Sequence, residues 1–117
     1  MEDNKVKHIS YDKEGDILAL HKGFGEDESF EGNLDSGDII LDISTKKQVR
    51  GIEIMNASTL LRGFNISKET LSAIDKAELK TSESPSGITV SLKLISKGTI
   101  IPAKFAVVFP KKRRNIY

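Results

Sequence analysis

The side chains best suited to acid–base or metal chemistry are two histidines, His8 and His21, and carboxylates without a fixed spacing to them. There is no cysteine, so thiolate nucleophiles, disulfides and sulfur-bound zinc sites are excluded. Two histidines facing each other across a hairpin could bind a metal ion if a third ligand were present. Two solvated histidines are the favoured alternative, because no third ligand has a defined position. We therefore predict no catalytic residue, no metal ligand and no cofactor.

A lone carboxylate, Glu53, stands between two isoleucines in an apolar segment. It has no histidine or second acid at a defined spacing, so it is interpreted as a surface residue rather than a general base. The acidic segment at residues 26–31 lacks the alternating pattern of a helix-loop-helix calcium site and is interpreted as a solvated loop. Enzymatic activity is therefore the least favoured class of function.

The basic residues concentrate in the second half of the chain. Residues 1–58 contain 7 Lys and Arg against 13 Asp and Glu, a net charge of −6, and residues 59–117 contain 11 against 4, a net charge of +7. Four consecutive cations close to the end could contact nucleic-acid phosphates, with Tyr117 stacking on a base: Lys111, Lys112, Arg113 and Arg114. The alternative is a solvated basic tail that keeps the preceding apolar strand in solution.

Alternating residues predict two hairpins in the first half. Strands are expected at residues 6–12 and 17–22, with Asp12 opposite Ile17, because this register places the apolar residues on one face. It also places His8 opposite His21. A short, irregular edge strand is predicted near residues 28–31, and turn-forming residues at 33–37 then precede strands at 37–43 and 49–55. Gly51 interrupts the alternation, which indicates a bulge or a close neighbour.

After Asn56 the apolar spacing changes to that of a helix. Asn56 is predicted as the N-cap of a helix of about two turns, and Ser67 as the N-cap of a second one. Ile66 and Leu71 have the spacing of a hydrophobic staple, and Leu71 and Ile74 are expected on the buried face of this second helix.

Three strands at residues 77–84, 88–95 and 99–109 complete a predicted antiparallel meander. The last strand is apolar on both faces, which indicates that both are covered, by the helices or by a second subunit. Phe105, Val107 and Phe109 are the candidate interface residues of a homo-oligomer. Pro102 is expected at an edge, a bulge or a strand start, since it cannot donate to a ladder.

Three short motifs are Tyr-Asp-Lys-Glu-Gly-Asp at residues 11–16, Ile-Ile-Leu-Asp at 39–42 and Val-Arg-Gly-Ile-Glu-Ile-Met-Asn-Ala-Ser at 49–58. Together they resemble the small prokaryotic family called domain of unknown function 2283, over residues 9–61. Gly15 and Asn56 stand where that family usually has Ala and Asp. The resemblance implies a compact antiparallel sheet with a helix after the Gly-Ile-Glu-Ile strand and, as one alternative, an antitoxin-like binding role. The family has no established activity, so the resemblance identifies no catalytic residue in this chain. The matching positions are Tyr11, Asp12, Glu14, Asp16, Leu18, Leu20, Asp42, Gly51, Ile52, Glu53, Ile54, Ala57 and Ser58.

These observations predict an α+β fold, mainly antiparallel sheet, with one or two short helices between residues 56 and 76. We expect one domain over residues 1–117, comprising the family-like part (9–62), a helix and meander (63–110) and a basic tail (111–117). The absence of a signal-peptide pattern and of an apolar run near 18 residues predicts a cytoplasmic protein without a membrane partner. The favoured function is a non-catalytic protein-interaction module that self-associates and binds an unknown protein partner, and the alternative is a nucleic-acid-binding protein.

Overall fold

The computed structural model describes residues 4–109, which form an α+β fold of antiparallel strands with short helices. A 3-10 helix at Arg62–Phe64 lies between the two short α-helices. The elements are β1 (His8–Asp12), β2 (Ile17–His21), β3 (Phe30–Ser36), β4 (Ile39–Ser44), β5 (Val49–Met55), α1 (Ala57–Leu60), α2 (Lys68–Ser72), β6 (Ile74–Ser84), β7 (Gly87–Ser96) and β8 (Thr99–Val108).

The first sheet has the strand order β1-β2-β5-β4-β3, with antiparallel neighbours throughout. The predicted hairpin register is confirmed, since Asp12 lies opposite Ile17 and His8 lies opposite His21. Alternate residues face the core on one side, which we call the inner face of this sheet. The buried residues of that face are Leu18, Leu20, Ile39, Leu41, Ile52 and Ile54.

The second sheet is the predicted meander, in the order β6-β7-β8. Lys97 and Gly98 both have positive φ angles, of 51° and 80°, as a two-residue turn between twisted strands requires. The buried residues of its inner face are Ala77, Leu79, Ile88, Val90, Leu92, Leu94, Ala103 and Val107. Its other side, the outer face, is mainly polar.

The chain joins the two sheets at two places. At the start, Val6 donates its N–H to the carbonyl of Ala77 in β6 at 3.0 Å, and Lys7 donates to the carbonyl of His21 in β2 at 2.8 Å. The helical segment between β5 and β6 then adds Leu61, Ile66 and Leu71 to the core. The buried apolar residues of both sheets and of the helices form one cluster.

The bulge predicted at Gly51 is confirmed by the pairing of β4 with β5. Asp42 lies opposite Gly51 and Ile43 opposite Val49, so Arg50 is the extra residue on β5. The second possibility, a close neighbour, is also realised, because a Cβ atom at Gly51 would lie 2.5 Å from Cδ2 of His21. The bulge and the close approach therefore lie at adjacent residues, Arg50 and Gly51.

Two strand boundaries differ from the sequence-based predictions. β3 runs to Ser36 rather than ending near Glu31, because an edge strand with one solvated face accepts Asn33 and Asp35, which were predicted to form a turn. Ile74 belongs to β6 and lies opposite Ser96, so its prediction as a helical residue was wrong. α2 ends at Ser72, before that position.

The two predicted helix caps have different outcomes. The Oγ of Ser67 accepts the N–H of Thr70 at 3.2 Å, as predicted, and Ile66 and Leu71 are both buried. Asn56 occupies the N-cap position of α1 in a left-handed conformation, with φ of 53°, and its side chain makes no capping bond. A different residue supplies that cap, as described below. Within residues 4–109, no helix has the length and apolar content needed to cross a membrane.

Candidate functional site

One polar side chain that links distant parts of the family-like region is Asp16, at the end of the β1–β2 turn. Its carboxylate accepts the hydroxyl of Tyr11 at 2.7 Å, the backbone N–H of Ser58 at 3.0 Å and the hydroxyl of Ser58 at 2.7 Å. Its carbonyl accepts the N–H of Ala57 at 3.0 Å. Asp16 thus satisfies two of the free N–H groups at the start of α1, the role predicted for Asn56.

The electrostatics of this cluster match its hydrogen bonds. Burial raises the pKa of Asp16, but the hydrogen bonds from Ser58 and Tyr11 outweigh it and hold the pKa below its ordinary value. Burial and the bond to Asp16 raise the pKa of Tyr11 to about 12. The carboxylate is therefore charged and the phenol neutral near neutral pH. Both carboxylate oxygens of Asp16 accept hydrogen bonds within the protein, so the cluster has a structural role. We call these three residues the Tyr11–Asp16–Ser58 clasp.

A second group of polar side chains lies on the outer face of the first sheet. His8, His21, Gly51 and Asp42 follow one another across four strands, because each lies opposite the next in the pairing registers. A Cβ atom at Gly51 would lie 2.9 Å from Oδ2 of Asp42 as well as against the His21 ring. The glycine therefore lets the histidine of β2 approach the aspartate of β4 over the strand between them.

Both ring nitrogens of His21 are oriented by neighbours. Nδ1 accepts the N–H of Gly23 at 2.7 Å, so this nitrogen carries no proton, and Nε2 lies 3.8 Å from Oδ2 of Asp42. Burial lowers the pKa of His21 more than Asp42 raises it. The ring also packs edge-on against Phe24, with centroids 4.9 Å apart. His21 is consequently a neutral, fixed side chain.

The adjoining cavity, lined by both histidines, Asp42 and Glu53, has a volume of about 110 Å³. It is smaller than the roughly 300 Å³ at which pockets for organic ligands begin. Among residues 4–109, no group of three or more His, Asp or Glu side chains is arranged to hold a metal ion. The two histidines are thus neighbours on one face, as their register predicts.

A third polar cluster anchors the acidic loop before β3, and the sequence analysis missed it. Glu28 accepts the hydroxyl of Ser44 at 2.5 Å and the N–H of Gly25 at 2.8 Å, and one of its oxygens lies 3.5 Å from Nε of Arg50. The Ser44 bond is the main reason that the pKa of Glu28 is lowered. The Glu28 side chain is only 5% exposed, so this loop is not simply solvated. The acidic and glycine residues around Glu28 gave no local signal of this contact, because Ser44 and Arg50 are distant in sequence.

The candidate interface residues, which lie in β8 and directly after it, are on the inner side of the sheet. Val107 is buried in the core, and Phe105 and Phe109 are partly buried against it. The opposite side of β8 is exposed, at 60% for Ile100 and 64% for Val108. Within a single chain, therefore, only the inner face of β8 is covered among the described residues, although the sequence predicted that both faces would be. The candidate nucleic-acid contacts Lys111, Lys112, Arg113 and Arg114 lie outside the described residues.

The sequence is similar to one protein family and to two archaeal proteins. The model of a family described as protein of unknown function (DUF2283) matches residues 8–58. A Methanosarcina mazei protein whose name provisionally assigns it as a hypoxanthine phosphoribosyltransferase is 30% identical over 80% of this chain and 71% of its own length. An uncharacterized protein of Methanocaldococcus jannaschii is 38% identical over 77% of this chain and 72% of its own length. No solved structure matches.

The matched region contains both β hairpins and the Tyr11–Asp16–Ser58 clasp, and it ends at the residue that Asp16 binds. The family resemblance inferred from the motifs is confirmed, and several of the motif residues have structural roles in the clasp and beneath the His21 ring. This chain belongs to the family of proteins of unknown function designated DUF2283.

Proposed function

We propose that this protein is a non-catalytic protein-interaction module that self-associates through the free edge of β8. The observation that carries the proposal is that β8 is an edge strand with exposed apolar side chains. β8 is the edge of its sheet over ten residues, and it exposes two large apolar side chains, Ile100 and Val108, at 60% and 64%. An edge strand with this exposure is a template for pairing with another chain.

The direction of the free backbone groups follows from Pro102. The ladder between β7 and β8 has no register shift, yet Pro102 has no N–H to donate, so its nitrogen must point away from β7. Residues two apart in a strand direct their backbone groups to the same side. The N–H and C=O groups of Lys104, Ala106 and Val108 therefore point to the free edge. Phe109, of the other parity, donates to the carbonyl of Ser86 at 2.9 Å, which agrees with this assignment.

Pro102 and Lys104 restrict how two copies can pair, since proline and lysine both protect edges. An antiparallel pairing centred on Ala106 leaves Pro102 outside the paired segment. It also places Lys104 opposite Val108 of the second copy, so that the two lysines do not face each other. This two-fold arrangement joins the two meanders into one six-stranded sheet.

The same arrangement gives a role to the interface residues expected from the sequence. With Ala106 opposite Ala106, Phe105 of one copy would lie opposite Val107 of the other copy and Phe109 would lie opposite Ala103, on the inner side of the joined sheet. Phe105 and Phe109 are partly buried in the single chain, and the second copy would cover them further.

The histidine cluster supports a non-catalytic role. His21 is the side chain best placed for acid–base chemistry, but Nδ1 is occupied by Gly23 and Nε2 faces Asp42. A general base needs a ring nitrogen within hydrogen-bonding distance of its substrate.

The test is the molar mass in solution, measured by light scattering after size exclusion over a hundredfold range of concentration. We expect the wild-type protein to dimerise and the substitution V108K to shift it to monomer, because the new cation would face Lys104 of the second copy. Adding K104E to V108K should restore the dimer by placing opposite charges across the pair.

The matched control is F30K, which changes an apolar residue, 51% exposed, on the edge strand of the other sheet. It should leave the dimer unchanged. A wild-type monomer at every concentration, or equal disruption by F30K and V108K, would refute the proposal.

A further inference from the structure

The outer face of the β6-β7-β8 sheet has a charge pattern that self-association does not explain. Its central row is Lys80, Ser91 and Lys104, and the next row is Ser82, Thr89 and Ala106. On the other side of the centre, Glu78 lies opposite Lys93, and Lys76 follows in the row after that. The rows therefore collect lysines from all three strands on one surface.

These lysines are not neutralised by neighbours in the described part of the chain. Lys76, Lys80, Lys93 and Lys104 are all exposed, and among residues 4–109 none of them forms a salt bridge. Glu78 is the one carboxylate that the three strands place in these rows. By contrast, Lys47, on the acidic half of the chain, is paired with Glu31. The sheet thus presents a net positive surface.

Hydroxyl groups lie between the cations. An open cavity of about 340 Å³ is lined by Lys80, Thr81, Ser82, Thr89, Ser91 and Lys104. Lys80 in β6 and Lys104 in β8 flank this cavity on either side of β7, so their backbones are about 10 Å apart. Ammonium and hydroxyl groups are the side-chain donors that proteins use to bind phosphate oxygens of a nucleic-acid backbone. The size and openness of the surface suit a polymer lying across the sheet.

We propose that the outer face of the β6-β7-β8 sheet binds the phosphate backbone of nucleic acid without base preference. The absence of preference follows from the composition of the face. Within residues 4–109 the rows of this face contain no aromatic side chain, so they offer no platform on which bases could stack. Because the lysines belong to a single chain, this site exists whether or not two copies pair through β8.

The experiment is a titration of fluorescently labelled DNA, as a 20-nucleotide single strand and as a duplex, followed by anisotropy across salt concentrations. If the four lysines neutralise about four phosphates, they contribute a slope near −3.6 to the logarithm of affinity against the logarithm of salt for duplex. Their contribution alone weakens binding about 100-fold between 50 and 200 mM salt. Sequences of different composition should bind equally.

The decisive variant is K80S with K93S, which leaves the β8 edge unchanged. We expect it to reduce the salt slope by about 2, because two phosphate contacts are lost. The matched control is K13S with K46S, which removes the same charge from exposed positions in two turns of the first sheet and should leave the slope unchanged. A chain lacking residues 111–117 separates the contribution of the tail.

Three outcomes would overturn the inference. The first is equal binding by the wild-type protein and the K80S/K93S variant, with all binding lost on removal of the tail. The second is equal weakening by the K13S/K46S control. The third is displacement of DNA by polyglutamate at the same concentration of charge as unlabelled DNA, which would identify a surface for acidic proteins. Each leaves the dimer proposal intact, since the molar mass is measured separately.

Discussion

Replacing Asp16 by alanine tests whether the family motif is a structural clasp. The substitution removes a cap of α1, at a cost of about 1 kcal/mol, and a charged hydrogen bond to Tyr11, at a further ~1.5 kcal/mol. It also places alanine at a φ of 57°, which costs about 1 kcal/mol. Partial exposure lets water replace some of these bonds, so we expect a total of about 3 kcal/mol.

The more informative variant is Asp16→Asn, which preserves the shape and tolerates the left-handed conformation. One oxygen of the new amide can still accept from Tyr11 and from the N–H of Ser58, and the hydroxyl of Ser58 can rotate to accept from the amide nitrogen. The expected cost is therefore about 1 kcal/mol, the difference between charged and neutral hydrogen bonds.

The assay is urea unfolding at a protein concentration where the oligomeric state is known. With a slope near 1.5 kcal/mol per molar urea, Asp16→Ala should lower the midpoint by about 2 M. Asp12→Asn is the control, because Asp12 precedes the same turn and, among residues 4–109, its side chain accepts only the exposed N–H of Glu14. A double-mutant cycle of Asp16→Asn with Tyr11→Phe measures the coupling directly.

The pH dependence provides an independent check. The folded protein holds the pKa of Asp16 below its ordinary value of 3.8, so its stabilisation is complete above that pH and is lost as the pH falls through the lowered pKa. The cost of Asp16→Asn should therefore be constant at higher pH and shrink in acid. Equal costs for Asp16→Ala and Asp12→Asn, or no coupling to Tyr11, would refute the clasp.

Two further predictions concern close approach and protonation. Gly87→Ala should destabilise the protein more than Gly51→Ala, measured by urea unfolding. The added Cβ at Gly87 would lie 2.3 Å from the backbone carbonyl oxygen of Val107, whereas at Gly51 it would meet side-chain atoms of His21 and Asp42, which can shift at the cost of their present contacts. An equal cost would contradict this. The folded protein lowers the pKa of His21, so the stability that the neutral ring contributes is complete above pH 6.5 and is lost as the pH falls through the lowered pKa. His21→Asn should remove this loss, because the amide oxygen of asparagine can still accept the N–H of Gly23 but does not titrate. An unchanged acid profile in His21→Asn would show that another group is responsible.

The register of the β1–β2 hairpin is a feature that local sequence was sufficient to predict. Asp12 faces Ile17 because a shift by one residue would move every apolar side chain of the pair to the wrong side of the sheet. The same constraint brought His8 opposite His21. The cap at Ser67 was equally predictable, since the residue it binds, Thr70, is three positions away.

The cap of α1 shows where local sequence is insufficient. Asn56 has the right residue type at the right position, yet the carboxylate that caps α1 comes from Asp16, and the contact spans 42 residues. The motif residues Tyr11, Asp16 and Ser58 were recognised as a pattern, but the pattern does not state that they touch. Glu28 and Ser44 likewise meet across 16 residues.

The sequence by itself determined the alternation of the strands, most of their turns and the family of the chain, because these properties are encoded within short segments. Only the tertiary structure decided that β5 lies between β2 and β4, which brings His21 and Asp42 together over Gly51, and that the lysines of β6, β7 and β8 share one face. The physical reason is that strand order depends on the free energy of burying the whole core, to which residues distant in sequence contribute together.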